Sequence, residues 1–210
     1  MPVLNSHKYA IALHTSTPQL GIALNNYQGN SRHEVWDLGR DLASHLHQYL
    51  QKMLLPQTWQ DIEFIAVAKG PGGFTGTRVG VVTARTIAQQ LDIPLFGISN
   101  LAAVAAAQNH LGNELLAVQM AARREELFVA IYRLDEQGQL QAYMEDTLIS
   151  QAAWQEILDS LDAYKLIIAE DNIAGTVTNV LDLAYADWQQ GKSDHWSEVI
   201  PFYGQHPVNN

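Results

Sequence analysis

One glycine-rich stretch constrains the fold of this chain more than any other part of its sequence. It runs from Lys69 to Gly80, between an apolar run and a helical pattern, and therefore predicts a strand, a tight loop and a helix. Glycine permits positive φ and close backbone approach, and the start of a helix presents free N–H groups. An anion or another backbone segment could dock there, or the glycines could only permit packing in a plain turn. The candidate loop residues are Gly70, Pro71, Gly72, Gly73, Phe74, Thr75, Gly76 and Arg78.

The loop does not match the common phosphate-binding motifs. Lys69 precedes the glycines, whereas the lysine of a Walker loop follows them. The dinucleotide-binding motif requires an acid about 20 residues further on, and the nearest acid here, Asp92, precedes a predicted strand. The loop alone therefore does not identify nucleotide chemistry.

Composition limits the class of protein. The 210 residues are 47% hydrophobic, which suits one large or two small globular domains. The 12 basic and 22 acidic residues give a net charge of −10, so strong direct binding to nucleic acid is not expected. The absence of cysteine excludes disulfides, thiolate catalysis and cysteine-ligated zinc. No signal core or transmembrane run is present, so we expect a cytoplasmic protein without a membrane anchor.

The hydrophobic pattern repeats one order of elements twice. The first half predicts strands at 9–13, 21–24 and 32–37, a helix at 41–55, a strand at 62–68, a helix at 76–91, a strand at 94–98 and a helix at 99–108. The second half predicts strands at 114–119, 127–134 and 140–147, a helix at 150–161, a strand at 165–169 and a helix at 173–190. Three antiparallel strands followed by helix-crossed parallel strands are typical of the ribonuclease-H-like fold. We therefore predict an α/β protein with domains at 1–110 and 111–210.

No motif specifies catalytic chemistry. None of the eight histidines has another four residues away on a helical face, so no metal site is predicted. His14 ends the first strand, where a nucleotide-binding protein of this fold usually carries an aspartate. Glu170 and Asp171 follow a buried strand and form either an acid or metal pair, or a helix start that Asp171 or Asn172 caps.

Three motifs closely resemble those of the TsaB (YeaZ) family: residues 70–80, 94–101 and 126–132. Their order and spacing agree over nearly the whole chain, from residues 12–16 to residues 200–203. The resemblance implies the actin and heat-shock ATPase type of fold, with two ribonuclease-H-like halves. It also implies a role in tRNA processing. Members are accessory subunits of the related catalytic subunit TsaD, which transfers a threonylcarbamoyl group from an adenylate onto an adenosine of certain tRNAs, and the small ATPase TsaE also takes part.

The sequence departs from the family pattern at positions that bear on chemistry. His14 and Ala121 stand where the family usually has aspartate, and residues 170–172 replace a common Gly-Asp-Gly turn. The metal-binding histidine pair of the catalytic relative is absent too. We therefore expect a pseudoenzyme without cofactor or metal. The alternatives are a nucleotide-binding ATPase or phosphotransferase that uses the Gly-rich loop, and a peptidase-like protein.

The resemblance further implies that the first two helices contact the catalytic partner in a heterodimer. The first helix carries more apolar residues than one stripe requires, and the second carries a ridge of small residues; the alternative is that both sets pack internally. The candidate interface residues are Leu46, Tyr49, Leu50, Met53, Gly76, Gly80, Ala84 and Ala88. Without the partner, the same surface should close a homodimer. We expect contact with the TsaE-type ATPase and with tRNA only through the complex.

Overall fold

Two mixed β-sheets form the framework of the molecule, which is a computed structural model that describes residues 3–108, 114–192 and 195–204. The first sheet has the order β3-β2-β1-β4-β5, from β1 (Tyr9–His14), β2 (Gln19–Asn25), β3 (Ser31–Asp37), β4 (Ile62–Ala68) and β5 (Leu95–Ile98). The second has the order β8-β7-β6-β9, from β6 (Leu115–Ala121), β7 (Glu126–Leu134), β8 (Leu140–Ser150) and β9 (Tyr164–Ala169). In each sheet, the first three strands pair antiparallel. The first of them also pairs in parallel with a later strand, β1 with β4 and β6 with β9. The predicted fold of two ribonuclease-H-like halves is confirmed.

Five α-helices cover the sheets in the described part of the chain: α1 (Leu42–Leu54), α2 (Phe74–Leu91), α3 (Asn100–Ala106), α4 (Gln151–Asp159) and α5 (Val177–Gln189). α2 begins at Phe74, two residues earlier than predicted, and Gly73 is its extended N-cap residue. The predicted last helix is divided into a 3-10 turn, Ile173–Thr176, and α5. None of the described helices is both long and apolar enough to span a bilayer.

Both faces of the inner strands of the first sheet are buried. Ile11 and Leu13 of β1 face the core formed with α1 and α2, whereas Ala10 and Ala12 face the core formed with α5. The second sheet packs against α3 on one face and against Trp154 and its neighbours on α4 on the other. Parallel strands covered on both faces explain why β1 and β4 read as continuous apolar runs.

The C-terminal segments return to the first sheet. α5 follows the second sheet in the chain, but Val177 and Val180 pack with Ala10 and Ala12 of β1. Val199 enters the core on the opposite face of the same sheet. Residues assigned to the second predicted domain therefore pack in the core of the first. The boundary itself, between residues 110 and 111, lies outside the described residues and stays a prediction.

Candidate functional site

A cleft of about 1660 Å³ lies beside the carboxyl ends of β1, β4, β6 and β9. This is the position at which α/β sheets commonly bind ligands, because loops from several strands converge there. Most of its lining comes from residues 15–18, 71–76, 120–123 and 170–171, together with side chains of α2 and the C-terminal segment. The strand order therefore brings the Gly-rich loop, the turn after His14 and the Glu170–Asp171 pair to one site, although they are far apart in sequence.

The glycines of the loop allow it to press against the turn between β1 and β2. The backbone N–H of Gly73 donates to the carbonyl oxygen of Ser16 at 2.7 Å, and the Thr15 hydroxyl donates to the carbonyl oxygen of Gly76 at 2.8 Å. A methyl group at Gly76 would overlap the carbonyl oxygen of Thr15, and one at Gly72 would lie 2.5 Å from that of Ser16. These glycines are therefore required for internal packing, as expected if they permit packing in a turn.

Asn100 holds the start of the loop, a role that the sequence pattern did not reveal. Its backbone N–H donates to the carbonyl oxygen of Gly70 at 2.8 Å, and its side-chain amide donates to that of Pro71 at 2.7 Å. Asn100 is fully buried beside Ser99, which caps α3. Its sequence signals were a polar residue two positions after β5 and its place in the motif at residues 94–101.

The loop presents an aromatic and cationic surface to the cleft. Phe74 is 55% exposed, and its ring centroid lies 4.8 Å from that of Tyr203. The Arg78 guanidinium lies over the Phe74 ring, 5.2 Å from its centroid. Burial raises the pKa of Tyr203, while the Arg78 charge opposes that increase. Further charged residues line the cleft, namely Arg40, Arg85, Arg123, Glu126, Glu170 and Asp171.

The two positions at which the resemblance implies aspartate do not supply charge to the cleft. His14 is completely buried, burial lowers its pKa to about 4, and neither ring nitrogen has a hydrogen-bond partner among the described residues. His14 is therefore neutral at pH 7. Ala121 does line the cleft, but it presents only a methyl group. Neither side chain can bind a hydrated cation as a carboxylate would.

Glu170 and Asp171 are exposed at the end of β9 and line the cleft. Asn172 precedes the 3-10 turn, but its side chain makes no capping hydrogen bond, so a capping role for Asn172 is not found. In the part of the chain that the structure describes, no group of three or more histidine, aspartate or glutamate side chains could hold a metal ion.

Most of the candidate interface residues are buried in this chain's own core. This corrects the prediction that they contact a partner. Leu46, Leu50 and Met53 are buried with Ala84 and Ala88 in the core between the first sheet and its two helices. Gly80 is buried against Thr15, Gly76 contacts the same turn, and Tyr49 packs on the Trp36 ring. The ridge of small residues lets α2 approach its own sheet, and the apolar set of α1 covers β2. Exposed apolar side chains on α2 are instead Phe74 and Val82.

A partly buried carboxylate joins the two halves. Asp146 of β8 accepts hydrogen bonds from the Ser99 hydroxyl at 2.6 Å and from the Tyr132 hydroxyl at 2.9 Å. Burial raises the pKa of Asp146, and both hydrogen bonds oppose that increase. Because Ser99 precedes α3 whereas Tyr132 lies on β7, this cluster fixes the first half against the second. Its members are far apart in sequence, and no motif identifies them.

The two mixed sheets, with a cleft at the carboxyl ends of their strands, define an α/β protein with two ribonuclease-H-like halves. Solved structures agree: YeaZ from Pseudomonas aeruginosa matches 93% of this chain and 99% of its own, with a TM-score of 0.76 at 22% identity. A second structure from that organism, described as similar to the peptidase YeaZ, matches with a TM-score of 0.73 at 24% identity, covering 94% of this chain and all of its own.

Sequence comparison gives the family. Residues 40–185 match the family model described as TsaD, tRNA N6-adenosine threonylcarbamoyltransferase. The tRNA threonylcarbamoyladenosine biosynthesis protein TsaB of Bacillus subtilis is 37% identical over 112 residues, which cover 53% of this chain and 48% of that protein. TsaB of Escherichia coli is 30% identical, over 61% of this chain and 56% of its own length. The matches thus span about half of these curated relatives. The chain belongs to the family of that model and, within it, to the TsaB (YeaZ) group.

Proposed function

We propose that this protein takes part in the biosynthesis of threonylcarbamoyladenosine in tRNA as a non-catalytic accessory subunit of a TsaD-type transferase. Ala121 is the observation that supports a non-catalytic role most directly, because it presents a methyl group to the cleft where the family usually has an aspartate. The completely buried, neutral His14 supports the same conclusion. Membership of the TsaB (YeaZ) group supports a role in threonylcarbamoyladenosine biosynthesis.

The exposed face of α2 is the part of this chain that we propose contacts the catalytic partner. Val82 is 57% exposed and Phe74 is 55% exposed. Both residues lie on one side of α2 with Arg78, since each is four residues from Arg78. The outer side of α1 adds Ala43 and His47, which are exposed. Aromatic residues and arginine are enriched at protein interfaces, so Phe74 and Arg78 fit such a surface.

A transfer assay with the TsaD-type subunit, the threonylcarbamoyl adenylate, tRNA and the TsaE-type ATPase tests this proposal. Product formation should require this chain together with the catalytic subunit, and neither should be fully active alone. Val82→Glu should weaken binding to the catalytic subunit about 30-fold, or by about 2 kcal/mol, because it places a charge in an apolar contact. Tyr143→Glu is the matched control, since Tyr143 is 55% exposed on the second sheet. Full transfer activity without this chain would contradict the accessory role.

Nucleotide binding by the cleft is the second candidate function. The volume of the cleft and its arginines, Arg40, Arg78 and Arg123, favour an anionic ligand of nucleotide size. Calorimetry with ATP and magnesium distinguishes the two candidates: the accessory role predicts weak or absent binding and no turnover by the isolated chain. A dissociation constant near 1 µM, about −8 kcal/mol, together with ATP hydrolysis abolished by Arg78→Ala, would favour an ATPase. No observation in the described residues favours the peptidase alternative.

A further inference from the structure

The two sheets leave four edge strands in the described part of the chain, and three of them are protected against pairing with another chain. Charges, irregular register and short length are common protections of such edges. β3 is rich in polar and charged residues, and β5 has only four residues. β8 has irregular register with β7 and carries Glu145 and Asp146. β9 is the fourth edge and is the least protected.

The backbone of β9 is open to an additional strand. β9 pairs with β6 in continuous register over six residues and contains no proline. Within the described ranges, the backbone of residues 164–169 hydrogen-bonds to no segment other than β6. The N–H and C=O groups on its outer side are therefore available to a further strand.

The side chains at this edge offer apolar surface on both faces of the sheet. Leu166 is 42% exposed and Ile168 is 65% exposed, and they lie on the same face because side chains alternate along a strand. On the opposite face, a groove of about 290 Å³ is lined by Val104 and Ala107 at the end of α3 and by Ile173 beyond β9. An added strand would therefore contact apolar side chains with both sets of its alternating residues.

Acidic residues stand at both ends of the same edge. Asp162 lies two residues before β9 and Asp171 lies two residues after it, and both are exposed. Asp159, at the end of α4, and Glu170 are exposed as well. Lys165 is the one cation within β9. A segment complementary to this edge is therefore apolar in its centre and carries cations at both ends.

We propose that β9 binds an extended segment of another protein, in which about six apolar or β-branched residues are flanked at both ends by lysine or arginine. The segment adds a strand to the second sheet. A strand of six residues spans about 20 Å, so cations in the two residues beyond each of its ends come level with Asp162 and Asp171. Main-chain hydrogen bonds supply affinity, whereas the apolar contacts and the end charges supply specificity.

This contact leaves the proposed α2 surface free, because α2 packs on the first sheet and β9 is the edge of the second. It does not depend on the accessory role, since the isolated chain should bind the segment without the catalytic subunit. Because only six residues of β9 take part, the interface is small, and we expect a dissociation constant of about 10 to 100 µM.

Fluorescence anisotropy with the full chain and a labelled peptide, Lys-Lys-Val-Thr-Val-Thr-Val-Thr-Lys-Lys, tests the proposal. Ile168→Lys should weaken binding of this peptide at least tenfold, because it removes an apolar contact and places an ammonium group beside the added strand. Leu166→Lys should act in the same way and provides a second measurement if one variant folds poorly. Tyr143→Lys is the matched control, since it adds the same charge at the opposite edge of the same sheet, and it should keep the wild-type affinity within about twofold.

Two altered peptides separate strand addition from simple attraction between opposite charges. Replacing the central valine and the threonine after it by proline removes a backbone donor that faces β9 and should weaken binding at least tenfold at unchanged charge. Replacing all four lysines by glutamate should abolish binding to the wild-type chain. The Asp162→Lys, Asp171→Lys double variant should reverse this preference and bind the glutamate peptide at least tenfold more tightly than the lysine peptide.

Hydrogen–deuterium exchange locates the contact, since amides of residues 164–169 should become more protected when the lysine peptide is bound to the wild-type chain. No binding at about 0.5 mM protein, or binding that both β9 variants and the proline peptide retain, would overturn the proposal. Sedimentation velocity on the free chain examines the other occupant of this edge. A dimer that Ile168→Lys dissociates would assign β9 to a second copy of the chain and would equally overturn the proposal.

Discussion

His14 shows how burial changes the chemistry of a single residue. It ends β1 at the edge of the cleft, where the resemblance implies an aspartate, yet the ring is enclosed and uncharged. The sequence identified the unusual residue, but it could not reveal that no hydrogen-bond partner faces the ring in the described chain. The hydrogen-bond partners of a buried ring depend on neighbours that only folding brings together.

The stability of the protein should fall in mild acid because of His14. Its pKa is about 4 in the folded state against about 6.5 in an unfolded chain, so the unfolded state binds the proton more tightly. Stability should be complete above pH 6.5 and fall by up to about 3 kcal/mol as the pH decreases to 4. Urea unfolding of His14→Gln between pH 7 and pH 4 should show a flatter dependence. The exposed His47→Gln is the control and should keep the wild-type slope, whereas identical slopes for wild type and His14→Gln would contradict this explanation.

Gly76→Ala should destabilise the protein by about 2 kcal/mol, because the added methyl group overlaps the carbonyl oxygen of Thr15 and forces the loop away from the turn. Gly175→Ala is the matched control, since nothing lies within 4 Å of its added methyl group. It should be neutral or slightly stabilising. Thermal unfolding of the two variants measures the difference, and equal melting temperatures would show that Gly76 is not needed for close approach.

At the scale of elements, periodicity predicted nearly every strand and helix, because burial on one or two faces leaves a regular pattern. It did not predict what the faces of α1 and α2 contact. An apolar stripe specifies that a face is covered, and a ridge of small residues specifies close approach, but neither specifies the neighbour. Here Ala84 and Ala88 approach β-strands of their own sheet, so the surface open to a partner is a different side of the same helix.

Two neighbouring positions on α2 should respond differently to the same substitution. Ala84→Glu buries a charge in the core of the first sheet and should cost at least about 3 kcal/mol of stability. Val82→Glu, on the exposed side, should keep the wild-type melting temperature while lowering affinity for the catalytic partner. Calorimetric unfolding beside a binding titration separates the two effects. A well-folded Ala84→Glu protein would mean that α2 does not pack as described.

At the scale of the whole molecule, negative charge should oppose direct contact with tRNA. The net charge is −10, and the arginines lining the cleft are accompanied by Glu126, Glu170 and Asp171. The isolated chain should therefore not retain tRNA at about 0.15 M salt, whereas the complex with the catalytic subunit should. A salt-sensitive gel shift by the chain alone that is lost when Arg123 and Arg124 become alanine would contradict an indirect role.

The return of α5 and Val199 to the first sheet has a consequence for how the protein is made. A ribosome completes β1 to β5 first, but the layer that covers one face of that sheet emerges only after the whole second sheet has been synthesised. Until then, Ala12, Ala66 and Phe96 have no cover from α5. We therefore expect the nascent N-terminal half to expose an apolar surface during elongation.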